Sequence, residues 1–259
     1  MDNVTIILPV SRPDYLDRIF HALEILRCNR EQTNLLTYVD GDWRLFETVR
    51  NKTQESKFNQ RLSVHRGRGP ANVSSITRRR QRIADIHNEM RGLLENSKYI
   101  FSLEDDTLFP TYTLEQLLRH YAQYPFAGFI SGVQLGRWGY PHIGAWRTND
   151  IYEPTVLEST PMGNGLEQVD AAGFYCFLTK TENYKGHEFA PFEDVLGPDV
   201  TFGLSLRRAG LLNYADFGLQ TMHLTKDGDI SLGNTKPIQV RFTKTATMNR
   251  AHKWMLETL

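Results

Sequence analysis

At 259 residues, with 40% hydrophobic and 23% charged content, the chain can build a substantial core as one large domain or a domain with an appendage. Its 30 basic residues balance 30 acidic ones, so no global field draws it to nucleic acid or to an anionic membrane, and only a local basic patch could serve that end. Two cysteines without metal-type spacing, Cys28 and Cys176, suit a reducing cytosol, and neither has the setting of a nucleophile.

The opening MDNVTIILPV has no basic segment, and its apolar run is too short for a signal peptide or a membrane span. The expectation is a soluble, cytoplasmic protein without membrane contact, in which the sequons at Asn3, Asn51 and Asn72 are coincidental. Val4 to Val10 is a continuous run rich in β-branched residues, closed by Ser11-Arg12-Pro13, the pattern of a strand buried on both faces. Asp14 to Arg27 carries Leu16, Ile19, Phe20, Leu23, Ile25 and Leu26 at helical period. Asn34 to Val39 is a second buried strand ending in Asp40-Gly41-Asp42, and Trp43 to Phe58 is helical. Leu62 to His65 is a short third strand leading into Arg66-Gly67-Arg68-Gly69-Pro70. Ser74 or Ser75 caps the next helix, which bears Ile76, Ile83, Ile86, Met90, Leu93 and Leu94 on one side and Arg78, Arg79, Arg80 and Arg82 near its start.

Lys98 to Leu103 is the fourth strand, and it runs straight into Glu104-Asp105-Asp106, with Pro110 preventing continuation. The order βαβαβαβ is that of a parallel, doubly wound sheet, and right-handed crossovers bring all the strand ends to one edge. Asp40, the Arg66 loop and Glu104 to Asp106 then share that edge, where open α/β sheets bind ligands. Three adjacent acids repel one another, and a divalent cation held by oxygen ligands relieves the repulsion. A solvated acidic turn is the bland alternative for such a triplet.

Beyond Pro110, Leu114 to Tyr124 is an amphipathic helix and Phe126 to Val133 a strand. Gly136 to Gly165 is a long loop region with short strands, of the length that usually serves function. Val169 to Thr179 has strand character, Phe189 to Gly197 is a loop, and Pro198 opens a helix stopped by Gly210. Leu212 to His223 is strand-like, and Met248 to Leu259 is expected to close the chain as a helix.

Four segments together resemble a GT-A-fold, nucleotide-sugar-dependent glycosyltransferase of the family 2 type. They are VTIILPVSRPDYLDRIFHAL, LLTYVDGD, YIFSLEDDTLFP and GPDVTFGLSLRRAGL, followed by the MHL that contains His223. The resemblance implies a Rossmann-like, doubly wound, mostly parallel α/β sheet with a C-terminal acceptor-side part. Residues 1–110 would form the nucleotide-sugar-binding half, 111–224 the acceptor-side half of the same domain, and 225–259 a tail. It puts Asp40 against the nucleoside, Glu104, Asp105 and Asp106 in the DxD motif, Asp199 at the acidic base position, and His223 where some members have a further metal ligand. Glu104 departs from the usual first Asp, and Pro198 from the usual Glu before Asp199. The Gln-x-x-Arg-Trp segment of processive members is absent, so a polysaccharide synthase is not expected.

Sugar transfer from such a donor leaves a diphosphate of growing negative charge, which Mn²⁺ or Mg²⁺ stabilises electrostatically. Asp106 is then the direct ligand, Glu104 assists through water or ribose hydroxyls, and His223 adds a ligand. Arg78 or Arg79 reaches the diphosphate, contacts the backbone of a nucleic-acid acceptor, or faces solvent, since four arginines within five positions cannot share one ligand. Asp199 either deprotonates the acceptor hydroxyl, giving inversion, or compensates a helix dipole. Glu193 and Asp194 compete for the base role. Trp138, Tyr140, Trp146 and Tyr175 are candidates for stacking on a sugar or base, and Asp170 for a substrate contact. The acceptor is a sugar, a protein or a hydroxylated base in DNA. A nucleotidyltransferase and a non-catalytic binding module on the same scaffold are the competing readings, the former lacking its Gly-rich phosphate loop after the first strand.

Overall fold

The computed structural model describes residues 3–67, 76–94, 97–136, 142–160, 163–191, 196–225, 238–241 and 255–258. Strand β1 (Val4–Val10), helix α1 (Leu16–Ile25), β2 (Thr33–Val39), α2 (Trp43–Glu55), β3 (Arg61–His65), α3 (Ile76–Arg91) and β4 (Tyr99–Leu103) alternate as expected. Then come β5 (Thr107–Leu108), α4 (Thr113–Gln123), β6 (Ala127–Val133), β7 (Leu135–Gly136), β8 (His142–Ile143), β9 (Ala145–Thr148) and β10 (Val156–Ser159). Next are β11 (Leu166–Val169), β12 (Ala171–Ala172), β13 (Cys176–Lys180), α5 (Thr181–Gly186) and α6 (Pro198–Arg208). The chain continues through β14 (Leu212–Gln220), β15 (Met222–His223), β16 (Ile238–Arg241) and β17 (Met255–Thr258).

The main sheet has eight strands in the order β11-β14-β6-β13-β4-β1-β2-β3. β1 is parallel to β2 and β4, β2 to β3, and β6 to β14. β13 runs antiparallel to both β4 and β6, and β11 antiparallel to β14, which makes the sheet mixed but mostly parallel. Alternation along β1 explains the two helical layers. Val4, Ile6, Leu8 and Val10 pack with Leu16, Ile19 and Leu23 of α1, Phe46 and Val49 of α2, and Leu117 and Tyr121 of α4. Ile7 faces the other way, with Leu36, Ile100, Met90 of α3, Tyr184 of α5 and Phe202 and Leu206 of α6. Each such fully buried side chain stabilises the fold by about 1.5–3 kcal/mol, so the sheet is held from both faces.

Local signals set the helix limits. Asp42 caps α2 by accepting a hydrogen bond from Leu45 N at 2.8 Å, and Pro198 opens α6. Gly210, with φ of 83°, reverses the chain after α6 in a conformation that favours glycine.

The structure departs from expectation in four places, the first being that the expected Val169–Thr179 strand is split among β11, β12 and β13. Met255–Thr258, expected as helix, is a strand paired antiparallel with β16, because an available strand edge outweighs a weak local helical preference. Helix α5, six residues long, has no counterpart in the pattern because it is too short to show a period. The run from Leu212 to His223 breaks at Thr221, whose N–H turns to Val133 O at 2.9 Å. The residual piece β15 then pairs with β5, not with the main sheet. The 136–165 region does contain short strands. β9 and β10 join β12, β16 and β17 in a second sheet of five strands. Ser74 and Ser75 lie outside the described residues.

Candidate active site

The register of β1 on β4 pairs Ile6 with Phe101 and Ile7 with Ser102, so the chain leaving β1 runs beside the chain leaving β4. Ser11-Arg12 therefore meets the acidic turn. Asp105 Oδ2 accepts from Ser11 N at 2.7 Å and from Ser11 Oγ at 3.2 Å. Asp105 Oδ1 accepts from Arg12 Nε at 3.1 Å and Nη2 at 2.9 Å, and the same Nη2 donates to Asp106 Oδ2 at 2.7 Å. The β5–β15 ladder sets His223 opposite Thr107, which carries its Nε2 to 3.3 Å from Asp106 Oδ2. Leu224 N donates to Asp106 O at 2.7 Å and fixes the turn from the same side.

Burial dominates the electrostatics. It pushes the Glu104 carboxyl up, and the charges of Asp106, Asp199 and Asp105 push it further, against the pull of Arg12. Asp105 is raised by burial in spite of Arg12 and the Ser11 N–H. Asp199 is raised by burial, with its backbone hydrogen bond to Val200 and the charge of Arg80 opposing. Burial works against the Arg12 charge, yet Asp105 and Asp106 outweigh it and hold the guanidinium protonated more firmly than usual. The expected residues Glu104, Asp105, Asp106, His223 and Asp199 are thus brought into one electrostatic neighbourhood.

Among the described residues, no three His, Cys, Asp or Glu side chains converge as a ready-made metal site. Asp106 and His223 do meet, and a carboxylate–imidazole pair fits a divalent ion whose remaining positions are completed by water and substrate oxygens. Glu104 is not part of a ligand trio here.

Asp40 has a different setting from the one expected. It is wholly buried, Arg82 Nε donates to its Oδ2, and Arg82 Nη2 donates to its backbone oxygen at 2.9 Å. Arg66 Nη1 stands 3.7 Å from the same Oδ2, while its Nη2 reaches Asp85 at 3.2 Å and Glu89 at 3.1 Å. A ligand at this edge meets Arg82 before Asp40. Along α3, Arg78 and Arg79 are exposed, whereas Arg80 is buried and Arg82 points inward. The helical period separates them.

Asp199 sits in the first turn of α6, one residue beyond Pro198. A Cβ added at Gly197 would collide with its Oδ1, so the glycine before Pro198 leaves room for this carboxyl. Asp170 is committed elsewhere, accepting from Thr148 N at 2.9 Å and Arg207 Nε at 3.0 Å. Tyr175 is buried and donates to Gly144 O at 3.0 Å, and Trp146 packs on the small cluster around Leu157 and Val200. Both aromatics serve packing in this structure. Trp138, Tyr140, Arg68, Glu193 and Asp194 lie outside the described residues.

Sequence reasoning missed Ser11, Arg12 and Arg82 as site residues. The signal for Arg12 was present: it follows the strand that neighbours β4, and parallel neighbours end side by side.

No family model and no curated protein matches the sequence. Solved structures do. A mannosyltransferase from Pyrobaculum calidifontis in complex with GDP-Man and Mn²⁺ aligns with a TM-score of 0.57 at 14% identity, over 82% of this chain and 54% of that one. TarS from S. aureus aligns with a TM-score of 0.54 at 10% identity, over 83% and 57%. GalNAc-T7 with UDP, GalNAc and Mn²⁺ gives 0.60 at 10%, over 86% and 43%. The chain thus spans about half the length of these structures. At such identities the likeness is one of architecture, and the chain has the GT-A fold.

Proposed function

We propose that the protein is a glycosyltransferase that moves a sugar from a nucleotide-diphosphate sugar to an acceptor hydroxyl. The observation that carries this reading is the acidic turn Glu104–Asp106 at the carboxyl end of β4, with His223 beside Asp106 and the Asp199 charge felt by Glu104. The solved neighbours that hold GDP-Man or UDP with Mn²⁺ add support at the level of fold.

Asp106 and His223 would hold Mn²⁺ or Mg²⁺, with Glu104 reaching it through water or meeting the ribose hydroxyls. When bound, the ion would offset the charge that grows on the leaving diphosphate. Asp105 accepts two hydrogen bonds from the Arg12 guanidinium, at 3.1 and 2.9 Å, which brings a positive charge to the same edge. Arg82, resting on Asp40, and the exposed Arg78 and Arg79 supply further positive charge for the nucleoside diphosphate. Asp199 is the base. Burial raises its carboxyl and makes its anion a stronger proton acceptor at neutral pH. The acceptor oxygen attacks the anomeric carbon as its proton passes to Asp199, the bond from that carbon to the diphosphate oxygen breaks, and the configuration inverts. Acceptors of three classes fit this chemistry: a sugar, a protein hydroxyl and a hydroxylated base in DNA. No helix among the described residues is long and apolar enough to cross a membrane.

The test is release of nucleoside diphosphate from a panel of nucleotide sugars with Mn²⁺, with Mg²⁺ and with EDTA. Metal-dependent release from one donor is expected, and Asp106→Asn should abolish it with the thermal midpoint unchanged within a few degrees. Full turnover by Asp106→Asn would remove the metal assignment, and absence of both turnover and donor binding across the panel would remove the transferase reading.

A further inference from the structure

One carboxylate oxygen in the acidic turn is claimed twice. Asp106 Oδ2 lies 2.7 Å from Arg12 Nη2 and 3.3 Å from His223 Nε2. Arg12 also spans to Asp105, so a single guanidinium serves both acids. The Asp105 and Asp106 side chains are only 6% and 4% exposed, while Arg12 is 35% exposed. Two adjacent carboxylates so removed from water are unfavourable without a counter-charge, and Arg12 supplies it. The acids are held in place by backbone contacts, through Leu224 N to Asp106 O and Ser11 N to Asp105. Arg12 instead reaches in from the short irregular segment between β1 and α1. Of the described groups meeting at Asp106 Oδ2, Arg12 is the one with a route out.

A divalent ion on Asp106 and His223, the site proposed above and on which this inference rests, needs the negative charge that Arg12 neutralises. We propose that Arg12 is an internal counter-cation that competes with the divalent ion for Asp106. The free protein then binds the ion weakly, and an anionic diphosphate that draws the guanidinium away raises ion affinity. By linkage, the ion raises diphosphate affinity by the same factor.

The experiment is titration of the substrate-free protein with Mn²⁺, read by the EPR signal of free Mn²⁺ and by the thermal midpoint. Wild type, Arg12→Gln, Arg12→Lys, Asp106→Asn and the Arg12→Gln/Asp106→Asn pair are compared. Losing charge-assisted hydrogen bonds to the competitor should tighten Mn²⁺ binding by Arg12→Gln on the order of tenfold. Arg12→Lys, which keeps the charge but not the fork, should fall between and provides the comparison if Arg12→Gln folds poorly. Arg12→Gln should also melt lower than wild type without Mn²⁺ and gain more from saturating Mn²⁺. Mn²⁺ binding that Asp106→Asn abolishes, yet that neither Arg12 variant tightens, overturns the competition. Mn²⁺ binding that Asp106→Asn does not weaken in either background overturns the metal site itself.

Discussion

Asp199 is aimed by α6, and α6 is seated by a backbone contact that Gly203→Ala tests. A Cβ at 203 would stand 2.6 Å from Asp170 O, 2.8 Å from Ala171 Cα and 3.0 Å from Ala171 Cβ. Two of these atoms are backbone and cannot rotate away, so the helix must lift from β12 by some tenths of an ångström. Asn213 Nδ2 staples the same contact, donating to Asp170 O and to Gly203 O at 2.8 Å each. Overpacking of this kind costs about 1–3 kcal/mol, and stretching the Asn213 bonds adds about 1 kcal/mol. The gain in helix propensity from Gly to Ala returns about 1 kcal/mol. The net is a loss of about 1–3 kcal/mol, or roughly 3–10 °C in the thermal midpoint for a chain of this size. Urea unfolding with an unchanged slope and a lower midpoint is the expected result. The sign is decisive, because an exposed helical glycine would be stabilised by the same change. A midpoint at or above the wild-type value would refute the seating of α6 on residues 170 and 171.

Asp199→Asn should remove turnover while stabilising the protein near neutral pH. The folded carboxyl titrates above its usual value because burial disfavours the anion, so wild type loses stability as pH rises through the folded value. The neutral amide avoids that loss, and its advantage in urea midpoint should shrink as pH falls from the folded value toward about 4, the unfolded carboxyl's value, and be gone below it. An advantage that grew toward acid would contradict the burial of Asp199. Arg82→Ala strips the buried Asp40 of its nearest cation and leaves Arg66 at 3.7 Å. Breaking a buried pair costs about 3–5 kcal/mol, and the remaining arginine should hold the measured loss near the lower end. A loss below about 0.5 kcal/mol, the range of ordinary surface changes, would mean that Asp40 does not depend on Arg82.

Much of the first half of the fold was legible because its signals are local. Val4–Val10 and Thr33–Val39 are dominated by apolar residues, with Thr5, Thr33, Asn34 and Thr37 buried among them, as suits a strand covered on both faces. The acids after Leu103 could be assigned to the ligand edge for a similar reason, since parallel strands end together. Short elements escaped: β5 has two residues and α5 six, too few for a period to register. Met255–Thr258 adopted the geometry of the strand beside it, which its own residues do not encode.

The site divides along the same line. The sequence by itself determined that carboxylates gather at one sheet edge and that α6 begins just before Asp199, because both follow from the order of strands and caps. It also carried the arginines of α3, but not the direction each faces. Only the tertiary structure decided which charge answers which. Arg12 lies 94 residues from Asp106, His223 lies 117 from it, and Arg82 lies 42 from Asp40. The energy of a charge pair depends on distance and burial in space, and neither is a function of separation along the chain. That is why Arg12, ordinary in the sequence, becomes the counter-charge of the acidic turn in the fold.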